Sequence, residues 1–202
     1  MKGLYLVTPD WDDTEQLLAV TEEALQGGVT VLQYRHKTAS EALRREQAQA
    51  LLQLCRKMKL PLIINDHIAL CEDLDADGIH VGGTDASVAD VRARLGADKV
   101  VGASCYGDLQ LARDARAAGA SYVAFGGFYP SRVKKYAVTT PPDIITRAIS
   151  EMNIPVCVIG GMTAANSKPL VERGAHLVAA ISSVYSAADP RLAAREFTHL
   201  FR

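Results

Sequence analysis

Short runs of apolar residues, many of them β-branched, alternate along the chain with longer stretches in which apolar positions recur every three or four residues. The short runs predict buried strands and the longer stretches amphipathic helices. Leu4-Tyr5-Leu6-Val7 opens the series, and Thr14 to Gln26 follows as a helix with Leu17, Leu18, Thr21, Ala24 and Leu25 on one face. The second strand lies in the stretch from Gly28 to Lys37, after a turn at Gly27-Gly28, and Ser40 starts a long helix through Lys59 with Leu51, Leu54, Cys55 and Met58 at helical spacing. Leu62-Ile63-Ile64 is a third strand, with a short helix from about Asp66 to Glu72. Gly78-Ile79-His80-Val81 is a fourth, with a helix from Ser87 to Leu95. Lys99 to Ser104 and Tyr122 to Phe125 are the fifth and sixth, separated by a helix from Asp108 to Ala118. Val156 to Ile159 and Leu177 to Ala180 complete the set, each followed by helical sequence. Gly96, Gly119 and Gly174 stand where helices end, the position that favours a left-handed residue.

Strands that alternate with helices pair in parallel. About eight such units with no linker between them predict a closed (β/α)₈ TIM barrel, one domain over residues 1–202, with an open doubly wound sheet as the alternative. In a parallel barrel the chemistry gathers at the C-terminal ends of the strands. Polar residues stand there after nearly every strand: Gln33, Arg35 and Lys37 after the second, Asn65 and Asp66 after the third, Asp85 after the fourth, Ser104 at the end of the fifth. Ser131 and Lys134 follow the sixth, Gly160-Gly161 the seventh and Ser182-Ser183 the eighth.

Charge narrows the partners. Lys+Arg number 22 and Asp+Glu 23, a formal net charge of -1, so the basic excess that nucleic acid or a membrane surface demands is missing and any anion site must be local. No apolar run approaches a membrane span, and the chain enters its first strand at once, which leaves no room for a signal peptide. The four cysteines, Cys55, Cys71, Cys105 and Cys157, include no C-x-x-C pair, which fits a reducing cytoplasm and neither a disulfide framework nor a zinc knuckle. Cys105 lies beside Ser104 without a basic neighbour, so it is expected to pack rather than react. The five histidines lack metal-ligand spacing; His80 is expected to be satisfied inside its strand, and Trp11 to be a packing residue.

Side chains alternate across a strand, so Gln33, Arg35 and Lys37 are expected to project from one face as an anion site, a planar guanidinium fork beside an ammonium. The alternative is a strand tip that is simply solvated. Asp66 and Asp85, from neighbouring strands, are placed to meet at one Mg²⁺, which takes one or two carboxylates and completes its octahedron with water and phosphate oxygens. Each also precedes a helix, where a carboxylate caps free N–H groups. Ile159-Gly160-Gly161-Met162 before a helix from Thr163 is a phosphate signal, because glycine lets backbone N–H groups approach an anion at a helix N-terminus. Ile181-Ser182-Ser183 supplies a hydroxyl and further N–H groups opposite. The connection from Gly126 to Lys135, running on to Pro141-Pro142, is the longest, and long loops in compact domains tend to be lids or binding loops. In it, Lys134 is expected to reach a pyrophosphate and Ser131 a second substrate, or else the loop is an exposed basic one. Two anion sites at one mouth, without an activated nucleophile in view, suit departure of a diphosphate helped by metal and cations, with a second phosphorylated molecule as nucleophile.

The motifs Gln33-x-Arg35-x-Lys37, Asn65-Asp66, His80-Val81-Gly82-x-x-Asp85, Gly102-Ala103-Ser104, Pro130-Ser131-x-x-Lys134, Ile159-Gly160-Gly161 and Ile181-Ser182 resemble, in order and over nearly the whole chain, those of the thiamine-phosphate synthase family. The resemblance implies a TIM-barrel transferase that joins hydroxymethylpyrimidine diphosphate to a plain or carboxylated thiazole phosphate, giving thiamine phosphate and pyrophosphate by a dissociative route. It implies Mg²⁺ on Asp66 and Asp85. It places the pyrimidine diphosphate against Gln33, Tyr34, Arg35, His36, Lys37, Asn65, Ser104 and Lys134, with Arg35, Lys37, Ser104 and Lys134 acting in catalysis. It places the thiazole phosphate against Ser131, Arg132, Val133, Gly161, Ile181 and Ser182. Ser131 stands where the family commonly has Thr, Val133 where Thr or Ser is usual, and Gly83 where Gln is frequent. The partners expected are therefore small molecules, with assembly into a homo-oligomer left open. Three rivals are weighed against this. A thiazole tautomerase relative would not require the Gln-x-Arg-x-Lys trio or both aspartates. A non-catalytic sensor of phosphorylated thiamine precursors would not need metal ligands. A sugar-phosphate isomerase would want a Glu or His base at a strand end, for which His80 is the one candidate.

Overall fold

A computed structural model describes residues 1–82, 87–130 and 140–202 of the chain. Its elements run β1 (Gly3–Val7), α1 (Thr14–Leu25), β2 (Val31–Tyr34), α2 (Glu41–Met58), β3 (Leu62–Asn65), α3 (Ile68–Leu74), β4 (Gly78–Gly82) and α4 (Val88–Leu95). They continue with β5 (Val100–Tyr106), α5 (Leu109–Ala117), β6 (Tyr122–Phe125), α6 (Asp143–Met152), β7 (Val156–Ile159), α7 (Ala164–Glu172), β8 (Leu177–Ala180), α8 (Ser182–Tyr185) and α9 (Pro190–His199). The strands close in sequence order from β1 to β8 and back to β1, each neighbouring pair parallel. This is a (β/α)₈ barrel with its helices outside.

Both faces of every strand are buried, which is why the strands read as unbroken apolar runs. In β1, Leu4 and Leu6 face outward into a layer shared with helix residues such as Leu17, Leu51, Ile145 and Phe197, while Tyr5 and Val7 face the barrel axis. The axis is filled by Tyr5, Val7, Val31, Ile63, Tyr122, Ala124, Cys157, Leu177 and Ala179. Two tyrosines fit inside so narrow a barrel because a strand beside them carries no side chain. A Cβ on Gly102 would stand 2.1 Å from Cζ and 2.2 Å from Oη of Tyr122.

Helix starts are capped as their sequences predict. Asp13, Ser40, Ser87, Asp108 and Asp189 each accept a backbone N–H from the first turn of the following helix. Thr163 and Asn166 form a reciprocal capping box on α7. Gly96, Gly119 and Gly174 take left-handed backbone (φ 81°, 96° and 104°). Lys59, Asp75 and Asn153 do the same at the ends of α2, α3 and α6, which glycine counting misses.

Two boundaries differ in ways that matter for the site. Strand β2 ends at Tyr34, so of the anticipated row only Gln33 is on the strand and Arg35 and Lys37 belong to the loop after it. Helix α3 begins at Ile68, two residues later than Asp66, and the side chain at its N-cap position, His67, does not cap the helix. Trp11 packs edge-on against Tyr185, 5.5 Å between ring centres. No helix among the described residues is long and apolar enough to cross a membrane.

Candidate active site

At the C-terminal end of the barrel a cavity of about 50 Å³ descends along the axis, walled by inward-facing residues at or just beyond the strand ends. Tyr5, Gln33, Arg35, Asn65, His80 and Ser104 give it a polar side, and Ala124, Cys157, Ile159, Ala179 and Ile181 an apolar one. Beside it a cleft of about 480 Å³ is formed by Ile159 to Thr163 after β7 and Ala179 to Ser183 at β8, with Pro130, Ser186 and Ala187. Ile159, Ala179 and Ile181 line both spaces, so the two lie side by side.

The polar side of the inner cavity is a connected chain. Gln33 Nε2 donates to Tyr5 Oη (2.8 Å), Tyr5 Oη meets Tyr122 Oη (2.6 Å), Tyr122 Oη meets His80 Nδ1 (2.8 Å), and His80 Nε2 meets Ser104 Oγ (2.8 Å). Polar groups buried this deeply are tolerated because each has a partner. Burial pushes both phenols well above their usual range, so they stay protonated. Ser104 itself lies where the β5–β6 register shifts, between Ser104 and Tyr106, an irregularity that aims a strand-end side chain. Its neighbour Cys105 is buried, its thiol pushed up to about 12 mainly by desolvation, so it packs and stays un-ionised.

Arg35 is held from two sides. Its backbone N–H donates to Thr8 Oγ1 (2.8 Å), and that hydroxyl returns its hydrogen to Arg35 O (2.9 Å). Its Nη1 donates to both carboxylate oxygens of Asp10 (3.2 and 3.3 Å), and Asp10 also accepts the Lys37 backbone N–H (3.0 Å). A buried guanidinium with a counter-ion on one edge is a fixed fork whose remaining edges serve an anion. The Lys37 side chain is exposed and does not wall the inner cavity. Tyr34 and His36 do not reach it either. Tyr34 alternates to the outer face of β2 and donates to Gln47 Oε1 on α2 (3.0 Å), and His36 Nε2 pairs with Asp12 (3.1 Å).

Asp66 lies just past β3 with left-handed backbone (φ 62°), its N–H donating to His80 O (3.0 Å) and its Oδ2 accepting from Asn65 Nδ2 (2.6 Å). Asp66 stands one residue before His67, the N-cap position of α3. Asp66 also lines a surface hollow with Arg44, Arg45 and His67. Among the described residues no group of three or more His, Cys, Asp or Glu gathers. A hard cation that keeps most of its waters needs only one or two carboxylates, and an oriented oxygen donor at a strand end fits that demand.

In the cleft, Gly160 and Gly161 turn the chain with φ 105° and 63°. A Cβ on Gly161 would fall 2.1 Å from Pro130 O, so only glycine fits there. The N-terminus of α7 and the Ile181-Ser182-Ser183 backbone face this space. Ser183 Oγ is buried in its wall and has no hydrogen-bond partner among the described residues. Asp85, Ser131, Arg132, Val133 and Lys134 lie outside the described residues.

The structure thus brings Gln33, Arg35, Asn65, Ser104, Gly161, Ile181 and Ser182 to one mouth. Tyr5, Tyr122 and Asp10 were not anticipated. Tyr5 and Tyr122 read as core residues in apolar runs, and their hydroxyls were the available signal: a phenol inside a barrel must find a partner.

A family model described as thiamine monophosphate synthase matches residues 4–184. The chain belongs to the thiamine monophosphate synthase family. Thiamine-phosphate synthase of Janthinobacterium sp. (strain Marseille) is 66% identical over 201 residues, covering 100% of this chain and 97% of that one. The enzyme of the same name from Thiobacillus denitrificans (strain ATCC 25259 / T1) is 48% identical over 199 residues, covering 98% and 94%. Among solved structures, thiamine phosphate pyrophosphorylase from Pyrococcus furiosus superposes with a TM-score of 0.85 at 27% identity, covering 98% of this chain and 95% of that one. The protein is an enzyme, a transferase of thiamine biosynthesis acting on small molecules.

Proposed function

We propose that this family member joins hydroxymethylpyrimidine diphosphate to a thiazole phosphate, releasing pyrophosphate and thiamine phosphate. The observation that carries the reading is that the narrow polar cavity and the wider Gly-Gly cleft lie side by side and share Ile159, Ala179 and Ile181 in their walls. One space suits a flat heterocycle with its diphosphate at the rim, the other a second molecule ending in a monophosphate. The carbon–oxygen bond to the diphosphate breaks and its electron pair leaves with pyrophosphate. The thiazole nitrogen then gives its lone pair to the pyrimidine methylene carbon, forming the carbon–nitrogen bond.

Each residue has a role that needs no covalent catalysis. Arg35, braced by Asp10, and Ser104 present N–H and O–H donors where charge grows on the leaving group. Gln33 and Asn65 orient the pyrimidine, and apolar Ile159, Ala179 and Ile181 keep water from the methylene carbon. Lys37 at the rim and Lys134 add positive charge. The glycine turn, Ser182 and the N-terminus of α7 take the thiazole phosphate, and Ser131, Arg132 and Val133 complete its surroundings. Asp66 and Asp85 would hold Mg²⁺, which when bound neutralises diphosphate oxygens. The four buried free thiols support a cytoplasmic setting.

The experiment is an assay of pyrophosphate formation with each substrate withheld in turn and Mg²⁺ varied. Pyrophosphate that forms only with both substrates and the metal supports the reading. No release under any metal condition overturns it.

A further inference from the structure

The buried chain from Gln33 to Ser104 has a direction, and counting hydrogens gives it. An amide nitrogen only donates, so Tyr5 Oη accepts from Gln33 Nε2. Tyr5 then has one hydrogen for Tyr122, and Tyr122 one for His80 Nδ1. A ring whose Nδ1 accepts carries its hydrogen on Nε2, which donates to Ser104 Oγ. In the opposite order Tyr5 Oη would accept from both neighbours and its own hydrogen would have no acceptor, at a residue 2% exposed. Buried hydroxyls avoid that condition.

We propose that His80 is a positioning residue: held as the Nε2–H tautomer by Tyr5 and Tyr122, it occupies a lone pair of Ser104 Oγ and so turns the Ser104 hydroxyl hydrogen toward the mouth. No proton is transferred. A serine that spent its hydrogen on His80 would show an anion only lone pairs, whereas this one shows a donor. The proposal rests on the reading of the mouth as a diphosphate site, since a donor fixed in advance matters most where negative charge grows.

The tautomer is measured first, in substrate-free protein carrying ¹⁵N-labelled histidine, by long-range ¹H–¹⁵N correlation. The Nε2–H form is expected for His80, and Tyr122→Phe, which removes the donor to Nδ1, is expected to shift it toward a tautomer mixture. Finding the Nδ1–H or the doubly protonated ring in the unmodified protein overturns the proposal whether or not any variant folds. Kinetics supply the second arm. Ser104→Ala and Tyr122→Phe should each lower kcat roughly 10- to 100-fold, the size of a hydrogen bond to a charged group, with smaller changes in KM. Because Tyr122 acts through Ser104, the double variant should be no slower than Ser104→Ala alone. His80→Gln, which keeps a donor, should retain more activity than His80→Ala. Multiplied losses in the double variant overturn the proposal. Absence of turnover with both substrates overturns the functional reading instead, and the tautomer measurement stands apart from it.

Discussion

Replacing Gly102 with alanine is a one-carbon change whose sign is decided by geometry. Its φ lies outside the left-handed region, so backbone conformation does not oppose the change, and an alanine in a strand would ordinarily gain about 0.5–1 kcal/mol over glycine. The added Cβ would instead stand 2.1 to 2.5 Å from Cζ, Oη and Cε1 of the Tyr122 side chain. Ordinary carbon contacts are ~3.5–4.0 Å, so ring or strand must withdraw by more than about 1 Å. Tyr122 is 0% exposed and tied at 2.6 Å to Tyr5 and 2.8 Å to His80, so that movement breaks both bonds. Overpacking costs about 1–3 kcal/mol and unsatisfied buried partners about 1–3 kcal/mol more. After the alanine gain the net loss is about 1–5.5 kcal/mol, at or below the lower end of the ~5–15 kcal/mol that a domain holds. The variant should fold, with its thermal midpoint lower by roughly 2–22 °C. Thermal unfolding followed by near- and far-ultraviolet circular dichroism measures it. The same substitution made in a Tyr122→Leu background, where the ring is gone, should cost almost nothing. An equal drop in both backgrounds, or none in either, refutes the reasoning.

Arg92 ties two connections at the opposite end of the barrel, α4–β5 and α5–β6, donating to the carbonyls of Gly96, Ala97, Lys99 and Gly119 and to Ser121 Oγ. Arg92→Ala should lower stability by about 2–4 kcal/mol in urea titration, because several carbonyls lose a charged donor, while kcat stays unchanged. Asp10→Ala should lower kcat about ten-fold by freeing the Arg35 fork, yet leave inhibition by added pyrophosphate as strong or stronger, since a negative charge has gone. Weaker pyrophosphate inhibition would count against that arrangement. His176 is depressed by desolvation first, then by the N-terminal amino group and Lys2, and its Nδ1 accepts the Val156 N–H. The unfolded chain then binds the proton more readily, so this contribution is fully present above the unfolded value of 6.5 and is lost as pH falls through the lower folded pKa. The thermal midpoint of His176→Gln should accordingly fall less than that of the unmodified protein between about pH 7 and pH 5.

The alternation of apolar runs and helical stretches determined the architecture alone, because a parallel strand buried on both faces needs uninterrupted hydrophobic sequence and each crossover needs a helix. The glycine turn after β7 and the polar strand ends named most of one mouth for the same reason: barrel topology delivers those positions to one end. What sequence spacing could not decide was direction beyond the last strand residue. Period-two alternation put Arg35 and Lys37 in line with Gln33, but β2 stops at Tyr34, and Thr8 and Asp10 from the neighbouring loop orient Arg35 while the Lys37 side chain goes to solvent. Nor could it join Tyr5 to Tyr122, 117 residues apart, or reveal that Gly102 is bare so that they can meet. Local sequence encodes local conformation and which face is buried. Which polar atoms share a proton across the axis is settled only when eight strands close and leave each buried hydroxyl a few neighbours to choose from.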